Sequence, residues 1–242
     1  MFHLRFTLPA LAGVAIVTQF TPLPSDWWLQ AGSMFMVLIL IVVTFTSPWD
    51  NAAVKWRTWE FPEDRIWFRI AFLPIEEYAF FVLQTLIVGL LTVVVLAHLG
   101  GQSHVGSITI REAVAAIVFV STWFLLGAVY RRARLMSRRL TYSWHLLYWF
   151  LPVVVVQWII ASEVLLPNAF VILLSAGIVG TYLVVADIVA VRHGIWFFDE
   201  EQITGIKVFS VLPWEEAAFF YITSLLVSQS TVLLLPPMYS SG

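Results

Sequence analysis

Two pairs of adjacent glutamates, Glu76–Glu77 and Glu215–Glu216, interrupt stretches that otherwise read as membrane: LPIEEYAFFVLQT from Leu73 and LPWEEAAFFYITS from Leu212. A carboxylate entering an apolar span is costly, roughly 3 kcal/mol at mid-span, and is functional by default. These lie near the ends of their spans, where the cost is smaller. A helix start alone would also account for one such pair, because proline suits the first helical position and acids in the first turn complement the dipole. Adjacent helical residues point about 100° apart, so one glutamate of each pair can face a cavity while its neighbour faces loop or headgroups. Two carboxyls meeting in a medium of low dielectric cannot both ionise easily, so one keeps a proton while the other stays a base. Beside them stand Trp59, Trp196, Phe80, Phe81, Phe219 and Phe220. Any one of these aromatics could be ordinary packing or part of an interfacial belt. As a set beside an acid and a base, their faces stabilise cations, which suits carbocation chemistry on a polyene.

The same residues recur in order, which predicts an internal repeat. Asp50 is followed by Ala53 and Trp59, and Asp187 by Ala190 and Trp196, at identical spacing. Each Trp leads on to the glutamate stretch, with two extra residues in the second copy, in a loop where insertions are tolerated. The expected organisation is a first unit at 1–99, a linker span with a basic loop at 100–140, and a second unit at 141–242. Three spans reverse the chain direction, so a fourth is needed to make the two units parallel. Both acidic modules then share one side around a pseudo-two-fold axis along the membrane normal.

Composition requires the membrane. Apolar residues make up 60% and charged residues 12% of the chain, with mean hydropathy +0.89, where a water-soluble domain carries roughly a quarter charged. Runs long enough for helical spans occur and strand-length alternation does not, so the fold class is all-α, polytopic and integral to the membrane. Seven spans are expected, at 4–20, 29–46, 72–99, 112–130, 142–165, 168–191 and 208–235. The first is short and contains Pro9, but no small-residue cleavage site follows it, so it reads as retained rather than as a signal peptide. With the N-terminus inside, every Lys and Arg except Arg111 falls on the inner side, as the positive-inside rule requires. This predicts a multi-pass protein of the cytoplasmic membrane with its N-terminus in the cytoplasm and its C-terminus outside. The run RRARLMSRR from Arg131 lacks interleaved aromatics and reads as a topology anchor on anionic headgroups, not as a nucleic-acid site. The chain has no cysteine, which excludes thiolate catalysis and disulfides.

The doubled Leu-Pro-x-Glu-Glu-x-x-Phe-Phe module, each copy preceded by Asp-x-x-Ala and Trp, resembles the small integral-membrane carotenoid cyclases. These lycopene cyclases occur as two short subunits in some bacteria and as one fused chain in others. SPWDNAAV at Ser47 and LPIEEYAFF are similar to the first subunit; GIWFF at Gly194 and LPWEEAAFF are similar to the second. The resemblance covers both halves apart from the linker span. It implies a redox-neutral cyclisation of the linear ends of lycopene, a lipid-soluble substrate within the bilayer, giving β-carotene through γ-carotene. It also implies that Glu76, Glu77, Glu215 and Glu216 supply the acid and base. Glu76 and Glu215 are the preferred pair because they follow proline at matching positions, with the direction of proton transfer open, and Asp50 and Asp187 orient or reprotonate them. Ring type, substrate length and oligomeric state stay open.

No Gly-x-Gly-x-x-Gly fingerprint occurs, so no bound flavin or other cofactor is expected. No metal site is expected either: His3, His98, His104, His145 and His193 have no ligand spacing, and only His193 lies beside a module. Three other activities were weighed. Intramembrane prenyl-protein peptidases resemble Glu-Glu-x-x-x-Arg with downstream histidines, where this chain has Phe81 and Phe220. A prenyltransferase acting on an isoprenoid diphosphate wants clustered aspartates with Lys or Arg for phosphate; Asp50 and Asp187 are solitary, although Arg65, Arg69 and Lys207 are near. A proton-coupled transporter would use parallel repeats and carboxylates, but no unwound, Gly-rich helix pair is present.

Overall fold

The structure, a computed structural model, describes residues 2–99, 108–132 and 137–235. Of the residues singled out above, His104 and Arg134 lie outside that set. Seven long helices carry the fold: α1 (Phe2–Thr18), α2 (Ser25–Lys55), α3 (Ile75–Leu99), α4 (Ile110–Arg132), α5 (Thr141–Leu165), α6 (Ala169–Arg192) and α7 (Trp214–Leu234). Six strands of two residues each sit in the loops: β1 (Trp59–Glu60), β2 (Arg69–Ile70), β3 (Leu73–Pro74), β4 (Phe197–Phe198), β5 (Lys207–Val208) and β6 (Leu212–Pro213). The chain is an all-α, polytopic membrane fold. Helices α2 to α7 are each long and apolar enough to cross a membrane, whereas the apolar part of α1, Arg5–Thr18, is shorter. At 1.5 Å per residue the whole of α1 reaches about 26 Å, less than a hydrocarbon core of about 30 Å.

The centre of the bundle is α3 and α7, the two spans with most residues buried. Between them Gln84 Nε2 donates to Thr223 Oγ1 at 2.8 Å, and the Thr92 and Ser228 hydroxyls meet at 2.9 Å. Small hydroxyls at a membrane-helix interface allow close approach while satisfying one another. Around this pair α1 packs on α3, α6 on both, α5 on α7 and α2 on α3, with α4 outside against α5.

Three boundaries differ from the sequence expectation. Helix α2 does not stop near Thr46 but runs through Pro48 to Lys55, so Asp50 stands on a helix. Proline at 48 removes one backbone donor, and the helix continues because its end is packed, with Trp49 and Ala53 buried. Helices α3 and α7 begin later than expected, after Pro74 and Pro213. The residue before a proline is biased towards extended backbone, and each of these prolines instead closes a hairpin. β2 pairs with β3 (Arg69↔Pro74) and β5 with β6 (Lys207↔Pro213). The first N–H of each helix is then met by a hairpin carbonyl, Ile75 N to Phe68 O and Trp214 N to Ile206 O, both at 3.0 Å. Within the basic run, Arg138 pairs with Asp199 at 3.3 Å and Glu201 at 2.6 Å, so it binds the α6–α7 loop as well as serving any membrane surface.

Candidate active site

Each acidic module is built the same way. After Asp50 the chain leaves α2 and turns at Arg57, a left-handed residue (φ 58°), before running out as β1. After Asp187 it leaves α6 and turns at Gly194 (φ 63°) into β4. The turn swings Trp59 back towards Asp50 and Trp196 back towards Asp187, so that each buried aspartate has an indole N–H as polar neighbour. Neither carboxylate oxygen of Asp187 has a hydrogen bond of standard geometry. The two loops are then joined. β1 and β4 pair antiparallel, Trp59↔Phe198 and Glu60↔Phe197. Asp199 N donates to Thr58 O at 3.0 Å, and the Gln202 amide donates to Trp56 O at 3.0 Å and Arg57 O at 3.2 Å.

The glutamates separate into two functions by helix phase. Glu76 Oε1 accepts the Trp67 N–H at 2.9 Å. Glu215 Oε1 accepts the Thr204 N–H at 2.9 Å and the Ser143 hydroxyl at 3.0 Å. Both are buried against their own hairpin loops. Their neighbours Glu77 and Glu216 line one chamber instead, together with Asp50 and Tyr142. The space left between these side chains is about 30 Å³, room for about one water molecule. The Tyr142 hydroxyl donates to Glu216 Oε2. In each module the residue straight after Pro-x, Glu76 or Glu215, points back at the loop, and the next one, Glu77 or Glu216, points in.

The walls are aromatic. Trp59, Trp196, Phe80, Phe219 and Phe220 all line the chamber, joined by Trp49, Phe61 and Phe198. Phe80 meets Phe220 edge-on at 6.1 Å, and Trp49 stacks on Phe219 at 5.1 Å. Phe81 is buried but does not reach the wall; it packs behind it on Tyr78 and Phe80. Asp187 sits just behind Phe80, Trp196 and Phe220, beside a smaller gap of about 20 Å³. Both aspartates feel the charge of Glu77 and Glu216. None of the residues lining either cavity is Lys or Arg. Four carboxyl groups without a lining cation cannot all bear charge in such a medium, so the chamber holds protons as well as carboxylates. Rings around it supply faces for a transient cation.

Tyr142, Ser143 and Trp49 escaped the sequence reading. Only Trp49 carried a signal, its place beside Asp50. Tyr142 and Ser143 belong to no repeated motif and reach Glu216 and Glu215 across 74 and 72 residues of sequence. Among the described residues, no histidine lines the chamber. His193 is exposed, with Nδ1 at 2.7 Å from Val189 O, while His145 stacks on Trp49 and holds its carbonyl at 2.9 Å. Among the described residues, no three His, Asp or Glu side chains are arranged to hold a metal ion.

No protein-family profile matches the chain, and no solved structure does. Curated proteins do. The lycopene beta-cyclase of Halobacterium salinarum is 30% identical over 207 residues, covering 81% of this chain and 80% of that protein. The bifunctional lycopene cyclase/phytoene synthase of Blakeslea trispora is 30% identical over 95% of this chain, and that of Sporisorium reilianum 32% over 93%. The match takes in only 37% and 33% of those two fungal proteins. With an alignment spanning most of both partners, doubled modules and an acid-lined aromatic chamber, the chain belongs to the lycopene cyclase family.

Proposed function

We propose that this chain closes β-ionone rings at the linear ends of lycopene, and that Glu77 and Glu216 are its acid–base pair. One observation carries the reading: one glutamate from each module, Glu77 and Glu216, faces the same aromatic chamber. An acid delivers a proton to the terminal double bond and leaves a tertiary cation. The neighbouring double bond attacks it, forming the ring carbon–carbon bond and moving the cation along the chain. A base then removes a proton to leave the ring alkene. One proton enters and one leaves, so mass and oxidation state are unchanged. The aromatic walls stabilise the intermediates and exclude the water that would otherwise trap them.

Because both modules supply one chamber, each end of the substrate is cyclised in its own visit, giving β-carotene through γ-carotene. Asp50 and Asp187 resupply protons and orient the glutamates through the enclosing loops, while Glu76 and Glu215 pin those loops to the helix starts. Units 1–99 and 141–242 act as parallel repeats about an axis through the β1–β4 pair. The protein takes its carotenoid from the bilayer of the cytoplasmic membrane, with the N-terminus on the cytoplasmic side. A diphosphate substrate finds no support, since Arg69 and Lys207 are engaged by Glu63 at 2.8 Å and Glu200 at 2.6 Å.

The test is expression in lycopene-accumulating bacterial cells, with chromatography and mass analysis of the pigments. The expected product has unchanged mass and a blue-shifted spectrum. Unaltered lycopene, with the protein present in the membrane, would remove lycopene cyclisation.

A further inference from the structure

The chamber receives one glutamate from each module but a phenol from one side alone. Among the residues lining it, Tyr142 is the one that bears a hydroxyl. It is fully buried, and its ring packs against Trp59 at 5.0 Å and stacks on Phe198 at 6.3 Å. Its own N–H is anchored to Gln202 O at 3.0 Å. The phenol is thus held from three sides, on the first turn of a helix, with its hydroxyl on Glu216. The next residue, Ser143, bonds Glu215, so two consecutive residues of α5 fix two consecutive glutamates of α7. By chain order α1 is to α3 what α5 is to α7, and α1 contains no tyrosine.

We infer that Tyr142 is a positioning residue that makes Glu216 the base of the cyclisation and, by fixing its carboxylate, selects which proton the ring cation loses. The inference rests on the cyclase reading above. A phenol donating to a carboxylate favours its ionised form and restricts its rotamers. Glu77 then carries the proton that starts the reaction. That proton passes to the terminal double bond, the ring bond closes, a C–H bond beside the cation breaks, and its proton goes to Glu216; Tyr142 keeps its own. Several C–H bonds flank the final cation, and loss from different ones gives different ring alkenes. A carboxylate free to swing reaches more than one of them.

The experiment compares wild type and Tyr142→Phe in lycopene-accumulating cells, at matched membrane levels, scoring the ratio of β to other ring types as well as total product. Wild type must form rings for the comparison to be read; if it leaves lycopene untouched, the cyclase reading itself fails and not the role of Tyr142. With ring-forming wild type, Tyr142→Phe is expected to lower total product at least tenfold and to yield a mixture of ring types. A variant that merely loosened the bundle would lower product without changing the ratio. Wild-type ratio from Tyr142→Phe, at any rate, overturns the inference. Should that variant make no rings, Glu216→Asp, which withdraws the carboxyl from the phenol by one methylene, is read in its place. A mixture there supports the inference, and the wild-type ratio or no product overturns it.

Discussion

The module ending in Glu77 and the module ending in Glu216 are alike in their loops and unlike in their walls. In the loops, Arg57 and Gly194 take the same left-handed turn, and Ala71 and Ser210 take another. Trp67 and Thr204 offer their N–H groups to the glutamates Glu76 and Glu215 at the same 2.9 Å. In the walls, the residue before the aspartate is Trp49 on one side and Ala186 on the other. Trp49 fills its half, stacked between Phe219 and His145, whereas Ala186 leaves a small cavity beside Asp187. Backbone geometry is shared because both loops must bring an acid to the start of a helix.

If the modules serve one chamber, removing either inward glutamate removes all activity. Glu77→Gln and Glu216→Gln are each expected to lower ring formation by about 10²–10⁴-fold, the usual range for a general acid or base. Pigment chromatography checks this, and half the wild-type product from either variant would mean two independent sites. Glu76→Gln and Glu215→Gln are expected to retain measurable cyclisation with less stable protein.

The aspartates should separate next. Asp50 lines the chamber and Asp187 stands behind its wall, so Asp50→Asn is expected to cost on the order of tenfold in product and Asp187→Asn only a few-fold. Equal losses would show that the wall between the cavities is open to protons.

The difference in filling shows in stability. Trp49→Ala removes a fully buried indole and its Nε1 bond to His145 O at 3.1 Å, with an expected loss of about 3–5 kcal/mol, read as a lowered unfolding temperature in detergent. Ala186→Val is expected to overfill the smaller gap, with a loss of about 1–3 kcal/mol from crowding.

The smallest effect tests the shared turn. Arg57 adopts a left-handed conformation without being glycine, so Arg57→Gly is expected to stabilise slightly or be neutral, within about 1 kcal/mol, while Gly194→Ala destabilises by about 1–2 kcal/mol. The same sign for both substitutions would break the equivalence of the two turns.

Much of this was legible in the chain alone. Apolar runs dictate membrane helices because a backbone in hydrocarbon must satisfy its own hydrogen bonds. The recurrence of Asp and Trp at identical spacing, each followed by a Leu-Pro-x-Glu-Glu stretch, marks the repeated module. Three things were decided only in three dimensions. Which glutamate of each pair turns inward depends on the rotation of α3 and α7 against their neighbours, a phase that adjacent identical letters cannot encode. Whether Phe81 lines the chamber or packs behind it depends on the same rotation. Tyr142 meets Glu216 across 74 residues of sequence, brought there by the packing of α5 on α7. Composition and spacing act along the chain and can be read from it; a helix's rotation and a contact between distant helices are set by how side chains fill shared space, and exist only once the bundle has closed.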